Sequence, residues 1–265
     1  MLNVSAIFFW GAGSASIALL GLWVSKKAIK PIDLDKYGDL MLATVTIVGT
    51  LVSILLGLLV SESVGQYRAL QSSVGAEANC IGDVFRLSRG LPGPAGDQLR
   101  ALCIDYCEQV INDDWPAMRQ GKASNIVSAT YLNLSDTIVT FRPNNSGEAT
   151  VQQALVAAAS RAAEHRHERI AVEETTWTKR LLPILIMCAA IVLAFSYLYV
   201  RSGNILLHAV LVSLVAVVLG TNIGVIFLMG RAFASSWSIQ PDPFESIVQY
   251  IKESKNRPSS DNTTH

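Results

Sequence analysis

The sequence predicts an all-α polytopic membrane protein, with four transmembrane helices plus a cytoplasmic helical bundle. Three observations carry that prediction. Four apolar runs, at about 4–24, 40–60, 181–200 and 205–229, have the roughly 20 residues that a helix needs to cross a bilayer core. Between the second and third lies a polar stretch, 61–180, whose apolar positions recur at helical steps of three and four. No segment alternates apolar and polar residues as a half-buried strand does.

Composition narrows the class. The 265 residues are 51% hydrophobic, with 21 basic against 21 acidic side chains. A neutral, apolar chain points to a lipid bilayer as its partner and away from nucleic acid. The first run is read as a retained helix rather than a signal peptide, since Lys26, Lys27 and Lys30 follow it and no small-residue cleavage site comes after. The chain then divides into a first transmembrane pair (1–60), a cytoplasmic helical region (61–180), a second transmembrane pair (181–229) and a cytoplasmic tail (230–265). The tail ends in "KNRPSSDNTTH", read as disordered.

Orientation follows from two weak signals that agree. Lys26, Lys27, Lys30, Lys36 and Arg201 stand on one side of the spans, and Arg68, Arg166, Arg169, Lys179, Arg180 and Arg231 on the other. The larger set belongs inside. Cys80, Cys103 and Cys107 make an odd thiol count in the polar stretch, and Cys103 and Cys107 are one helical turn apart, a poor disulfide spacing. Free thiols suit a reducing cytoplasm. The reading is a multi-pass protein of the cell (inner or plasma) membrane with both termini cytoplasmic, where the sequons at Asn133 and Asn144 carry no sugar.

The second run, "TVTIVGTLVSILLGLLVSES" (44–63), is apolar yet keeps Thr46, Thr50, Ser53 and Gly57 at spacings of four, three and four. On a helix these fall on one narrow face. Such a stripe is either a small-residue packing seam, which Gly49, Ser53 and Gly57 would also serve, or the wall of a water path. Projected forward, the face reaches Arg68 and Gln71 at the mouth, while Glu62 falls away from it. Ile47 and Ile54 could then form an apolar gate. In the fourth run Gly220 and Gly224 form a GxxxG seam, with Asn222 expected to bond a neighbouring helix and His208 to be hydrated near the span end.

The polar stretch reads as helices. Tyr67, Leu70, Val74, Ala78, Ile81 and Phe85 continue the second span without a break, until "RGLPGPAGD" (89–97) interrupts it. A helix through Leu99, Leu102, Cys103, Tyr106 and Val110 is expected to end near "DDWP", where Asp113 and Asp114 read as a turn. Val127, Tyr131, Leu134 and Ile138 mark a third helix. A fourth begins near Glu148 and is expected to run into the third span. Its "EHRHERI" (164–170) reads as a solvated, charge-paired face, since His165 and His167 point about 200° apart and cannot share a metal. No phosphate loop, HExxH, nucleophile elbow or EF-hand loop occurs, so neither enzyme activity, metal nor cofactor is expected.

The stretch "YRALQSSVGAEANCIGDVFRLSRGLPGPAGDQLRALCIDYCEQV" (67–110), with Glu77-Ala78-Asn79 and Leu91-Pro92, resembles the bestrophin-like family of bacterial membrane proteins. Leu182-Pro183 at the third span and "RAFASSWSIQPDPF" (231–244) fit the same pattern. The family is named for bestrophins, pentameric chloride channels with four membrane-crossing helices, a cytoplasmic helical region and a pore lined by the second helix. The resemblance therefore implies anions such as chloride as the conducted species, a ring-shaped homo-oligomer and cytoplasmic termini. It marks Glu77 and Asn79 as structural motif residues. The sequence departs from the pattern in three places. Ala232 and Ser235 stand where the family tends to have proline and glycine, and the second apolar run, 40–60, has no aromatic residue. Asp242 and Glu245 are too few for a calcium clasp. The rival reading is a membrane-anchored helical interaction or signalling module without a pore.

Overall fold

In the computed structural model, residues 4–28, 34–174, 177–198 and 205–256 are described, and all the regular structure among them is helical. Lys30, Arg201, the last nine residues of the tail and the junction at 175–176 between the fourth soluble helix and the third apolar run lie outside the described residues. The order is α1 (Val4–Ala28), α2 (Leu34–Leu87), a 3-10 turn (Ser88–Gly90), α3 (Gly93–Gln109), a π-turn (Val110–Asp114), α4 (Trp115–Met118), α5 (Asn125–Thr140), α6 (Ser146–Glu174), α7 (Trp177–Leu198), α8 (Ile205–Met229) and α9 (Asp242–Asn256). They form two compact units: 1–67 with 176–238, and 68–175 with 239–265.

The first unit holds α1, the first half of α2, α7 and α8. α1, α2 and α8 are long and apolar enough to cross a membrane; α7 carries a shorter apolar stretch, Leu182–Tyr197. α8 is the hub. Val52 and Leu56 of α2 pack with Leu185 and Ala189 of α7 and with Leu219, Ile223 and Ile226 of α8. On another side of α8, Gly220 and Gly224 seat α1. A β-carbon at Gly224 would lie 2.6 Å from Trp10 Cγ and 2.9 Å from its Cβ, and one at Gly220 would overlap Ser14. The GxxxG is thus a close-approach seam, where small residues allow the van der Waals contact that drives association in lipid. Asn222 differs from expectation: its amide donates to the Val218 carbonyl of its own helix at 2.8 Å, which satisfies a donor in lipid without a neighbour. His208 differs as well. It is buried in the first turn of α8, and its Nε2 meets no protein partner among the described residues.

In the second unit α2 continues unbroken to Leu87, as its uninterrupted periodicity predicts. α3 does not stop at "DDWP". Pro116 cannot donate to the carbonyl four residues back and crowds it, and the chain widens into the π-turn and continues through α4. The segment read as a tail also contributes structure. α9 follows Pro241, and Phe244, Val248 and Ile251 are buried at helical spacing.

The seam generates a test. Gly224→Ala and Gly220→Ala should each destabilise the detergent-purified protein by about 1–3 kcal/mol through overpacking, read as a melting temperature lower by roughly 5 °C. Gly13→Ala, whose β-carbon would meet nothing within 4 Å, should melt with the wild type. Equal melting of all four proteins would refute the seam.

Candidate functional site

α2 has three faces in its membrane half. At 100° per residue, Val52 and Leu56 define the face buried in the unit. Thr46, Thr50, Ser53 and Gly57 share a second face about 60° wide, and all four are exposed. Ile47, Leu51, Ile54 and Leu58, also spaced by four, three and four, form a third face about 100° from the second, and are 57–65% exposed. Gly49 and Gly57 have open space where a β-carbon would stand, so the small residues are not a seam within the chain.

The hydroxyls of the second face are not equivalent. Thr46 Oγ1 donates to the Leu42 carbonyl at 2.8 Å, and Thr50 Oγ1 to the Thr46 carbonyl at 2.7 Å. Their protons are used within the helix and their oxygens face outward as acceptors. Ser53 has no such bond among the described residues and keeps its proton to donate. In the second unit, Arg68 and Gln71 are exposed. No carboxylate among the described residues pairs with Arg68, and Glu62 is occupied by Gln66, whose amide donates to it at 2.9 Å. Asn79 stands exposed on the same side as Arg68.

The opposite side of α2 is anchored by a buried charge network that the sequence reading did not assemble. Glu77, nine residues from Arg68 and therefore about 180° around the helix, is fully buried. Arg169 of α6, also 0% exposed, donates to it from Nε at 2.7 Å and from Nη2 at 3.0 Å. Arg169 Nη2 also reaches Asp114 Oδ2 of the π-turn at 3.0 Å, and Nη1 reaches Met118 Sδ at 2.9 Å. Its guanidinium lies 5.5 Å from the Trp115 ring centroid and 6.0 Å from that of Phe244 in α9. Arg166 holds Asp114 Oδ2 at 2.9 Å and Ser128 Oγ of α5 at 2.9 Å. Ser124 N donates to Asp114 Oδ1 at 2.8 Å, and Tyr106 Oη of α3 donates to Glu77 Oε1 at 2.6 Å. Two cations meet two anions, and α2, α3, α4, α5, α6, α9 and the π-turn all contribute.

This corrects two expectations. "EHRHERI" is not a solvated face throughout: Glu168 is exposed and pairs with His165 at 3.0 Å, but Arg166 and Arg169 are buried. Asp114 is an ion-pair partner rather than a turn residue. A signal was present, because Leu155, Ala158, Ala162, Arg166 and Arg169 follow one another at steps of three and four on the buried face of α6.

Electrostatics within the network are mutually supporting. Burial pushes the Asp114 carboxyl up, but Arg169, the Ser124 amide and Arg166 outweigh it and hold the carboxyl below its ordinary value. Burial would lower Arg169, and the Glu77 carboxylate more than reverses this, keeping the guanidinium charged. Burial and then Glu77 raise Tyr106, which stays a donor. Burial pushes the Cys103 thiol up to about 12 and raises Cys107 well above its usual value, which disfavours the thiolate form. No group of three or more His, Cys, Asp and Glu side chains that could hold a metal occurs among the described residues.

Arg169→Met should cost about 3–5 kcal/mol, because it strands a buried carboxylate, whereas Glu77→Met/Arg169→Met should recover part of that loss. Asp114 adds an acid limb. Its lowered pKa gives stability that is present above the unfolded value of about 3.9 and lost as pH falls through the folded value. Thermal unfolding of the detergent-purified chain at pH 7, 5 and 3 should therefore show a late drop in wild type. Asp114→Asn should be less stable at pH 7 and lose part of that drop. A single Arg169 variant costing under about 1 kcal/mol would contradict the network's weight.

With the geometry in view, the relatives can be placed. Residues 12–244 match the Bestrophin-like domain. No curated protein matches the sequence. Among solved structures, a variant of a bacterial bestrophin homologue from Klebsiella pneumoniae superposes with a TM-score of 0.67 at 10% identity, covering 96% of this chain and 99% of its own. A second variant of that homologue gives 0.66 at 12% identity, with the same coverage of both chains. A third gives 0.65 at 11%, covering 95% of this chain and 97% of its own. At such identity these likenesses speak to fold. The domain match extends over nearly the whole chain, and the chain belongs to the bestrophin-like family.

Proposed function

We propose that the protein is a homo-oligomeric ion channel that conducts anions such as chloride, with α2 of each copy around a central path. The observation that carries this reading is the three-faced α2. A helix in a ring needs one side for its own chain, one for a neighbouring copy and one for the axis. Val52 and Leu56 serve the first. The exposed Ile47, Leu51, Ile54 and Leu58 suit the second, and the outward Thr46, Thr50, Ser53 and Gly57 suit the third. Thr46 and Thr50 satisfy their donors within the helix, and it is Ser53, whose proton has no acceptor among the described residues, that calls for water or a partner on that face.

The hydroxyl geometry divides the labour. Thr46 and Thr50 keep the path wet through outward oxygens, which do not favour anions. Anion preference then rests on Ser53 as a donor and above all on Arg68, whose charge no carboxylate among the described residues neutralises and which raises the local anion concentration. Rotation of α2 would bring Ile47 and Ile54 toward the axis as a dewetting gate. By family resemblance the ring is a pentamer, in the cell membrane, with both termini and the second unit in the cytoplasm. Glu77 serves the position of α2 rather than permeation. The rival is a membrane-anchored interaction module, in which Gly49, Ser53 and Gly57 form a seam between copies and nothing is conducted.

Recordings in planar bilayers under a salt gradient test the proposal. Wild type should reverse toward the anion potential, and Arg68→Glu should lower the anion-to-cation permeability ratio by about an order of magnitude. An unchanged ratio would remove Arg68 from the selectivity mechanism. Thr50→Ala/Ser53→Ala should alter unitary conductance at least about twofold in a pore. Absence of any current from wild type and variants alike would favour the module.

A further inference from the structure

We infer that the first unit carries a site for an anionic phospholipid, with one acyl chain in a groove between α1, α7 and α8 and the phosphate at Arg231. The groove has a volume of about 630 Å³ and is almost wholly apolar. Small residues line it, among them Gly13, Ala190 and Gly220, together with Ile17, Leu193 and Phe227. On α8 the lining runs from Ala216 to Phe227. Eleven residue steps rise about 16 Å along a helix, close to half of the roughly 30 Å hydrocarbon core. The groove therefore spans about one leaflet.

Its two ends differ. One end is aromatic: Phe9, Trp10 and Phe227 line it, and the Trp10 and Phe227 ring centroids are 5.4 Å apart. Tryptophan and other aromatic side chains settle at the headgroup level of a bilayer. Just beyond the end of α8, Arg231 is exposed and its guanidinium lies over the Phe227 ring, 5.4 Å from the centroid. No carboxylate among the described residues pairs with it. An unpaired guanidinium held on the ring that closes a leaflet-long apolar groove matches a phosphate on an acyl chain, and Arg can bind phosphate through two parallel N–H donors. A helix from a neighbouring copy would fill the apolar part and leave the cation without a partner. Charge complementarity therefore favours the lipid.

The test is native mass spectrometry of the full chain in detergent, titrated with phosphatidylglycerol or phosphatidylcholine of the same acyl composition. Wild type should retain the anionic lipid about fivefold better, the preference expected of one interfacial cation. Arg231→Gln should erase that preference while phosphatidylcholine retention stays the same. Gly13→Leu grows a side chain into space where its β-carbon meets nothing within 4 Å, and should reduce retention of both lipids severalfold. Ala190→Leu supplies a second plug if Gly13→Leu does not elute as wild type by size exclusion. Preference that survives Arg231→Gln would overturn the inference. So would plugs that change the oligomeric state but leave lipid counts intact, since a neighbouring copy would then occupy the groove.

Discussion

The rotation of α2 about its own axis depends on the buried pair of Glu77 and Arg169. A carboxylate removed from water is tolerable only with its charge matched and its lone pairs engaged. Glu77 receives two donors from Arg169 and one from Tyr106, and that set exists on only one side of the helix. Turning α2 by even one residue step, about 100°, would take Glu77 out of the cluster and leave both charges buried and unsatisfied. The pair thus has a large energetic penalty against misrotation, whatever its net contribution to stability. Arg68 is set outward by the same constraint, because it lies half a turn away.

In the membrane unit the constraint is steric rather than electrostatic. Lipid is as apolar as leucine, so burial alone does not say which helices associate. The glycines of α8 do, by admitting Trp10 and Ser14 of α1 to distances no other residue would permit. Valine and leucine at 52 and 56 then seat α2 on α7 and α8, and the hydroxyls fall elsewhere. Back-bonding to carbonyls one turn earlier lets two threonines remain in an apolar helix without orphaned donors. The same device appears at Asn222.

Much of this was legible in the sequence wherever a single helix carried the signal. The unbroken α2, the stripe from Thr46 to Gly57 and the GxxxG all follow from spacing on one helix. What was not legible required partners far apart in the chain. Glu77, Asp114 and Arg169 are joined across 37 and 55 residues by folding, and charge on α6 resembles a solvated face until its apolar register is followed. Pro116 looked like a stop because the π-turn that accommodates it has no sequence marker of its own. α9 is short and polar in composition, and only Phe244, Val248 and Ile251 betray its buried side. Whether the stripe faces a pore is decided by an assembly, and no single-chain register determines what stands opposite it.

In the proposed channel the Thr50 and Ser53 face of α2 looks into an axial path among copies of the chain. Electron-microscopy class averages of the detergent-purified full chain, carried to a map that orients α2, test it most directly. The expected result is a ring, fivefold by family resemblance, with Thr46, Thr50 and Ser53 turned to the axis and Leu51 and Leu58 toward a neighbouring copy. A monomer, a dimer without an axial cavity, or a ring with that face turned to lipid would contradict it.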